Sequence, residues 1–354
     1  MSRYLSNVHK DLVPYVPGEQ PRDRSYIKLN TNESPFPPSV KAQIYAANVM
    51  RNLQLYSDPD CTALTEKMAE LYGLTTNQVF FGNGSDEVLY LAFLSFCEEG
   101  KPVYFPDITY GFYKVYADFL HLNGVQIPLQ EDFSVNVEDY LYKDGPIFIA
   151  NPNAPTGKIL TLAQIEKILD TNKEHVVVID EAYIDFGGES AIKLIGKYEN
   201  LLVTQTFSKS RSLAGARLGM GFGNAELISD LRTAKYSINP YNVNAMTMAA
   251  GLGALEDEPY TRGNCQIIME NRAFTTEELN KLGFSVVDSM TNFVLAGSPK
   301  ITGKDLYEKL KARGILVRYF GAERLKPYVR ITIGTKEQME TMLAEIKEIL
   351  EEPK

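Results

Sequence analysis

Between about residues 40 and 240, short apolar runs alternate with longer segments of helical period. Val79-Phe80-Phe81, Val103-Tyr104-Phe105, Ile147-Phe148-Ile149-Ala150, Val176-Val177-Val178-Ile179 and Leu201-Leu202-Val203 read as strands. Their apolar positions are continuous rather than alternating, as in strands covered on both faces. Ser85–Cys97 and Thr161–Leu169 read as helices between them, the second opening on a capping box of Thr161 and Gln164. Strand and helix in alternation predict an α/β fold with a mainly parallel sheet and helices on both faces. The flanks follow other patterns. Residues 1–38 show no strong period and carry several prolines, which predicts an extended arm packed over the rest. Beyond residue 242, Asn244–Leu282 predicts a long helical stretch interrupted near Pro259. Four short apolar runs follow, at Phe284–Val287, Phe293–Ala296, Ile315–Val317 and Val329–Ile333. A last helix from Thr335 spaces Met339, Met342, Leu343, Ile346 and Leu350 by threes and fours, so these should face the core. The pattern divides the chain into an arm (1–38), a large domain (39–243), and an interdomain helix with a smaller α/β domain (244–354). A site in the crevice between the domains is expected.

With 354 residues, 44% of them hydrophobic and 23% charged, the chain has ample material for such a body. A net charge of −9 argues against nucleic acid or an anionic membrane surface as partner. Cys61, Cys97 and Cys265 stand apart, as do His9, His121 and His175, so neither a disulfide framework nor a metal site is expected. The first ten residues are polar and mixed in charge, unlike a signal peptide, and no window approaches the length of a membrane span. A cytoplasmic location is expected.

Candidate chemistry centres on Thr206-Phe207-Ser208-Lys209-Ser210-Arg211-Ser212-Leu213-Ala214-Gly215-Ala216-Arg217. A lysine amine becomes a nucleophile only when its surroundings favour the neutral form. Ser208 and Arg217 could hold an anion beside Lys209, and Asp180 ends a stiff apolar run upstream. Together they suggest pyridoxal phosphate. Asp180 would keep the pyridine nitrogen protonated, although read alone it is equally a loop or capping acid. Gly82-Asn83-Gly84-Ser85-Asp86-Glu87 follows a strand and opens a helix, a phosphate seat or simply a capped glycine turn. Tyr110 could stack on a cofactor ring and Tyr183 could bond its oxygen, though tyrosines more often serve packing. Tyr56 sits in a turn-rich loop. Arg318 and Arg330 interrupt or follow apolar strands, which is costly without a paired anion. That anion could be a bound ligand or a carboxylate elsewhere in the chain.

Taken in order, these segments resemble the fold-type I pyridoxal-phosphate enzymes of the class I/II aminotransferase superfamily. The resemblance runs through Leu29–Pro35, Tyr56–Pro59, Gly84–Glu87, Tyr110, Asn151–Gly157, Asp180–Tyr183, Ser208-Lys209, Leu213–Arg217, Pro240-Tyr241 and Val329–Gly334. It implies a seven-stranded, mainly parallel sheet and a homodimer with shared active sites. Lys209 would be the Schiff-base lysine, Asp180 the partner of the ring nitrogen, Tyr110 the stacking ring and Tyr183 the donor to the phenolate oxygen. Gly84, Ser85, Asp86, Thr206, Ser208 and Arg217 would hold the phosphate, with Tyr56 reaching it from the second subunit. Arg330 and Arg318 would bind the anionic end of the substrate, with Tyr15, Asn32 and Tyr241 around it. The Arg330 segment and Asn30-Thr31-Asn32-Glu33 point to a narrower family acting on a phosphorylated amine with 2-oxoglutarate or glutamate. One position departs: an asparagine usual before Pro-Thr-Gly is Ala154 here, and Asn153 is expected to supply the missing amide. A decarboxylase of an amino-acid phosphate or an aromatic aminotransferase would share this scaffold. A non-catalytic regulator would need a DNA-binding segment for which there is no room.

Overall fold

The structure, a computed structural model, describes residues 2–352. Its strands, in chain order, are β1 (Ile27–Lys28), β2 (Val79–Gly82), β3 (Pro102–Pro106), β4 (Asn123–Ile127), β5 (Ile147–Ala150), β6 (Val177–Asp180) and β7 (Leu201–Thr206). Then come β8 (Gly219–Gly223), β9 (Ser285–Val287), β10 (Phe293–Gly297), β11 (Ile315–Leu316), β12 (Arg318–Tyr319) and β13 (Tyr328–Thr332). The helices used below are α1 (Val40–Val49), α2 (Thr62–Tyr72), α3 (Ser85–Phe96), α4 (Phe112–Phe119) and α5 (Leu162–Thr171). They continue with α6 (Ala225–Ile238), α7 (Ala245–Leu255), α8 (Glu258–Lys281), α9 (Gly303–Ala312) and α10 (Lys336–Glu351).

The five apolar runs all lie in one seven-stranded sheet of order β2-β8-β7-β6-β5-β3-β4. Every residue of β2, β5, β6 and β7 is buried, which explains the apolar runs in them, although β6 ends in Asp180 and β7 in Thr204-Gln205-Thr206. The pairings β3–β4, β3–β5, β5–β6 and β6–β7 are parallel. Strand β8 runs antiparallel to both β2 and β7, so the sheet is mixed. Two strands carry no hydrophobic run to announce them. β4 is a mostly exposed edge strand, and β8 reads Gly-Met-Gly-Phe-Gly. The glycines of β8 serve close approach: a Cβ at Gly219 would lie 2.1 Å from Ser85 N.

Chain order reverses at β3, whose neighbours β4 and β5 lie on opposite sides. Such a switch point opens a crevice at the carboxyl ends of the strands. The loops that follow β3, β5, β6 and β7 all emerge there. The capping box of Thr161 and Gln164 opens α5 as the spacing indicated.

The C-terminal unit holds a four-stranded antiparallel sheet, β12-β13-β10-β9. Within the run Ile315–Val317, Ile315 and Leu316 form β11, which pairs in parallel with β1, whereas β12, just beyond the run, pairs with β13. The segment from Ile27 to Asn32 is thereby laid against this unit, with Leu29 O also accepting from Thr332 N at 2.9 Å. The long helical stretch breaks between α7 and α8, with Pro259 in the first turn of α8. In α10, Met339, Met342, Leu343 and Ile346 are buried as their spacing requires, but Ile349 rather than Leu350 completes the buried face. Among the described residues no helix is long and apolar enough to cross a membrane.

Candidate active site

Strand alternation decides which acid at the end of β6 faces the crevice. Asp180 turns into it; Glu181 turns the other way, where Ser190 Oγ, Gln205 Nε2 and the Ala191 N–H donate to it. Asp180 is 4% exposed. Its Oδ2 accepts from Tyr113 Oη at 2.9 Å and its Oδ1 from Thr204 Oγ1 at 3.1 Å. Burial pushes this carboxyl up to about 6, with the two hydroxyl donors opposing the shift. No lysine or arginine pairs with it among the described residues. It is a buried acid in want of a cation.

Burial likewise raises the Glu181 carboxyl to about 7, from an ordinary value near 4.5. A carboxyl raised by folding binds its proton more tightly in the native state. Its contribution to stability is therefore complete below about 4.5 and lost as pH rises through about 7. Glu181→Gln is expected to flatten the fall in unfolding free energy between those values by on the order of 3 kcal/mol. Denaturant melts of the cofactor-free protein at acidic and slightly alkaline pH measure this, and parallel slopes for the two proteins would exclude it.

The opposite wall is built by the turn into α3. Gly84 has φ +81°, and a Cβ there would lie 2.5 Å from the Arg217 guanidinium. Arg217 therefore folds over the turn, its Nη2 2.8 Å from Asp86 Oδ2 and its Nη1 3.4 Å from Ser208 Oγ. Thr206 Oγ1 completes the group, 3.0 Å from Ser208 Oγ. Free N–H groups at a helix start, a guanidinium and two hydroxyls form an anion seat. Tyr110 Oη is tied to Asp86 Oδ1 at 2.5 Å, and its ring closes one side. Between the seat and Asp180 lies a cavity of about 470 Å³, into which Lys209 projects. Lys209 Nζ makes no ion pair among the described residues. It reaches Thr31 O at 3.3 Å and stands 5.7 Å from the centre of the Tyr183 ring.

A second cavity, of about 450 Å³, shares Tyr110, Ala154, Tyr183 and Lys209 with the first and runs out to Tyr15, Arg318 and Arg330. β12 and β13 place Arg318 directly opposite Arg330. Like charges at such a pair position repel. The Phe320 ring lies 5.5 Å from one guanidinium and 5.4 Å from the other, and Phe293 takes the far face of Arg330 at 5.2 Å. Arg330 donates to Asn30 O at 3.1 Å, its Nε has no partner among the described residues, and burial lowers its pKa. Arg318 spends its donors on Val16 O and Pro17 O of the arm. Tyr15 stacks on Phe112 at 4.4 Å and forms the outer wall.

Three expected residues lie elsewhere in this chain. Asn153 does not face the cavity: its Nδ2 donates to Ile108 O and Thr156 Oγ1, and its Oδ1 accepts from Thr109 Oγ1. The loop is held too tightly for that amide to replace the one absent at Ala154. Tyr56 is 84% exposed and stacks on Tyr241 at 4.6 Å, and neither borders the two cavities. Asn32 borders the second cavity, but its side chain is engaged with Tyr183 and Thr332. Sequence reasoning passed over Tyr113, Thr204, Phe293, Phe320 and Thr332. Tyr113 had one signal, its place three residues after Tyr110 at a helix start.

Pyridoxal phosphate matches the groups left unsatisfied here: a buried carboxylate for its ring N–H, an anion seat for its phosphate, and an unpaired lysine between them. The cavity and the mixed sheet around it define a fold-type I pyridoxal-phosphate-dependent transferase. The chain belongs to the aminotransferase class I and II family, whose model matches residues 24–346. It is 50% identical over 353 residues to a histidinol-phosphate aminotransferase of Brachyspira hyodysenteriae, covering 99% of each chain. The solved histidinol-phosphate aminotransferase of Clostridium acetobutylicum superposes with a TM-score of 0.84 at 26% identity, over 92% of this chain and 99% of that one. That of Sinorhizobium meliloti, in complex with pyridoxal-5'-phosphate, gives 0.85 at 21% identity, over 93% and 92%.

Proposed function

We propose that this aminotransferase interconverts histidinol phosphate and 2-oxoglutarate with imidazole-acetol phosphate and glutamate, a step of histidine biosynthesis. The observation that carries the reading is Arg330. It is a partly buried guanidinium between two phenylalanine rings, with an unpartnered Nε and a second arginine across the strand pair. A phosphate or carboxylate entering from the second cavity would satisfy both charges. The close relatives bear the same activity in their names.

When bound, the cofactor supplies an electron sink for the carbon that loses its proton and a carrier for the amino group. Asp180, held by Tyr113 and Thr204, would keep the ring nitrogen in its protonated form. Ser85, Asp86, Thr206, Ser208 and Arg217 would seat the phosphate through main-chain N–H groups, hydroxyls and the guanidinium. Tyr110 would cover the ring, and Tyr183 would donate to its phenolate oxygen. Lys209 Nζ takes the proton from the amine-bearing carbon of the donor. Arg330 and Arg318 fix the donor's anionic end, so that carbon is presented to Lys209 rather than to water.

The working unit is a homodimer. Val40, Ile44, Met50, Leu53, Leu55 and Tyr56 expose apolar surface along and after α1, more than scattered surface residues would. In a dimer formed through this face, Tyr56 of one copy reaches the phosphate end of the other copy's cavity.

A panel of amino donors with 2-oxoglutarate tests the reading. Histidinol phosphate should give a kcat/KM at least about 100-fold above phenylalanine, whose carboxylate carries less charge and fewer acceptor oxygens than the phosphate the two arginines would hold. Good turnover of phenylalanine with none of histidinol phosphate would overturn it.

A further inference from the structure

The Tyr183 hydroxyl ends a chain of hydrogen bonds whose direction is determined by the chain's own geometry. The Asn32 main-chain N–H donates to Thr332 Oγ1 at 2.9 Å, so that oxygen is already an acceptor. Its proton then points at Asn32 Oδ1, 3.0 Å away. With Oδ1 engaged, Nδ2 is the atom turned toward Tyr183, and it donates to Tyr183 Oη at 2.9 Å. Exchanging the two amide atoms would strand the Thr332 hydroxyl proton at a residue only 2% exposed. Asn32 cannot turn away. Its φ is +55°, a conformation that favours asparagine, and its carbonyl accepts from Asn292 Nδ2 at 3.0 Å. Having accepted from Asn32, Tyr183 Oη is left with its own proton to give.

Where it gives that proton follows from what surrounds it. Tyr183 borders both cavities, and Ala154 beside it contributes only a methyl. The Asn153 amide is spent on Ile108 and Thr156. No amide from the loop after β5 therefore donates at this wall.

We propose that Thr332 and Asn32 are positioning residues that hold the Tyr183 hydroxyl as a donor toward the cofactor's phenolate oxygen, making up for the amide absent at Ala154. This rests on the reading that Tyr183 faces that oxygen. A donor aimed at an anion favours its ionised form. The chain therefore keeps the pH midpoint of the bound cofactor's visible band low.

The test uses the holoenzyme with Tyr183→Phe, Thr332→Val, Asn32→Asp, and Asn32→Asp combined with Tyr183→Phe. Asp tolerates the same backbone and presents only acceptors, so it should capture the tyrosine proton and reverse the bond. The visible band is titrated across neutral pH, with the melting temperature and the cofactor dissociation constant measured alongside. Tyr183→Phe and Asn32→Asp are each expected to raise the midpoint by about one pH unit, and Thr332→Val by less, in the same direction. In the Tyr183→Phe background, Asn32→Asp should add little, because its effect passes through the tyrosine. The new carboxylate acting through its charge alone would add the full shift there and overturn the proposal. A lowered melting temperature with unmoved midpoints in Asn32→Asp and Thr332→Val would reduce both residues to a structural role and overturn it as well. An unmoved midpoint in Tyr183→Phe would instead remove the reading on which it rests. If Asn32→Asp fails to fold, Thr332→Val, neutral and equal in shape, decides.

Discussion

Replacing Lys209 with alanine is expected to abolish the visible absorbance that pyridoxal phosphate gives when joined to the enzyme, and to lower turnover by about 10⁴-fold. The geometry makes the loss specific. Lys209 is the amine that projects into the cavity between the anion seat and Asp180, and its present hold on Thr31 O is a single bond of 3.3 Å. Neither the seat nor Asp180 depends on it, so the variant should still bind the cofactor with its phosphate and ring nitrogen in place. Spectra of the purified variant, read with dialysis for cofactor retention, separate a lost nucleophile from a lost binding site. An unchanged spectrum would show that another amine carries the attachment.

Asp180→Asn should lower kcat by about 10²–10³-fold, the scale seen when one preorganised electrostatic contact is removed. Asparagine keeps nearly the same shape and can still accept from one of Tyr113 and Thr204, while its Nδ2 donates to the other hydroxyl oxygen. What it lacks is the charge that holds the ring nitrogen protonated. The effect should appear in kcat and in cofactor affinity, with the melting temperature of the cofactor-free variant unchanged or raised. That last sign follows from burial, since Asp180 is charged at neutral pH at an energetic cost that asparagine avoids. A variant with full kcat would remove Asp180 from the chemistry.

Much of this molecule is legible in its sequence, and the reasons are local. A strand buried on both faces is apolar wherever no partner pairs a polar side chain, so β2, β5 and the apolar starts of β6 and β7 announce themselves. Capping boxes and apolar stripes mark α5 and α10 because their hydrogen bonds and faces lie within a few residues. Lys209, Asp180 and the Gly84 turn stand at strand ends that the same pattern locates. β8 escapes because its glycines answer to contacts remote in sequence, Gly219 to the approach of the Gly84–Ser85 turn and Gly221 to Val88. β4 escapes because an exposed edge strand needs no apolar run.

The sequence by itself determined the alternation of elements apart from β4 and β8, the class of sheet and the residue types available for the chemistry, since each follows from periodicity or from side-chain composition. Tertiary structure alone decided their orientation. It turned Asp180 into the crevice and Glu181 away from it into the interior, locked Asn153 away from the cavity, and set Arg318 opposite Arg330 across two strands joined by a loop. It also ran a hydrogen-bond chain from Thr332 through Asn32 to Tyr183, across some 300 positions in one step and 151 in the next. Such contacts depend on distance and angle between groups remote in sequence, and no local pattern of hydrophobic and polar residues encodes them.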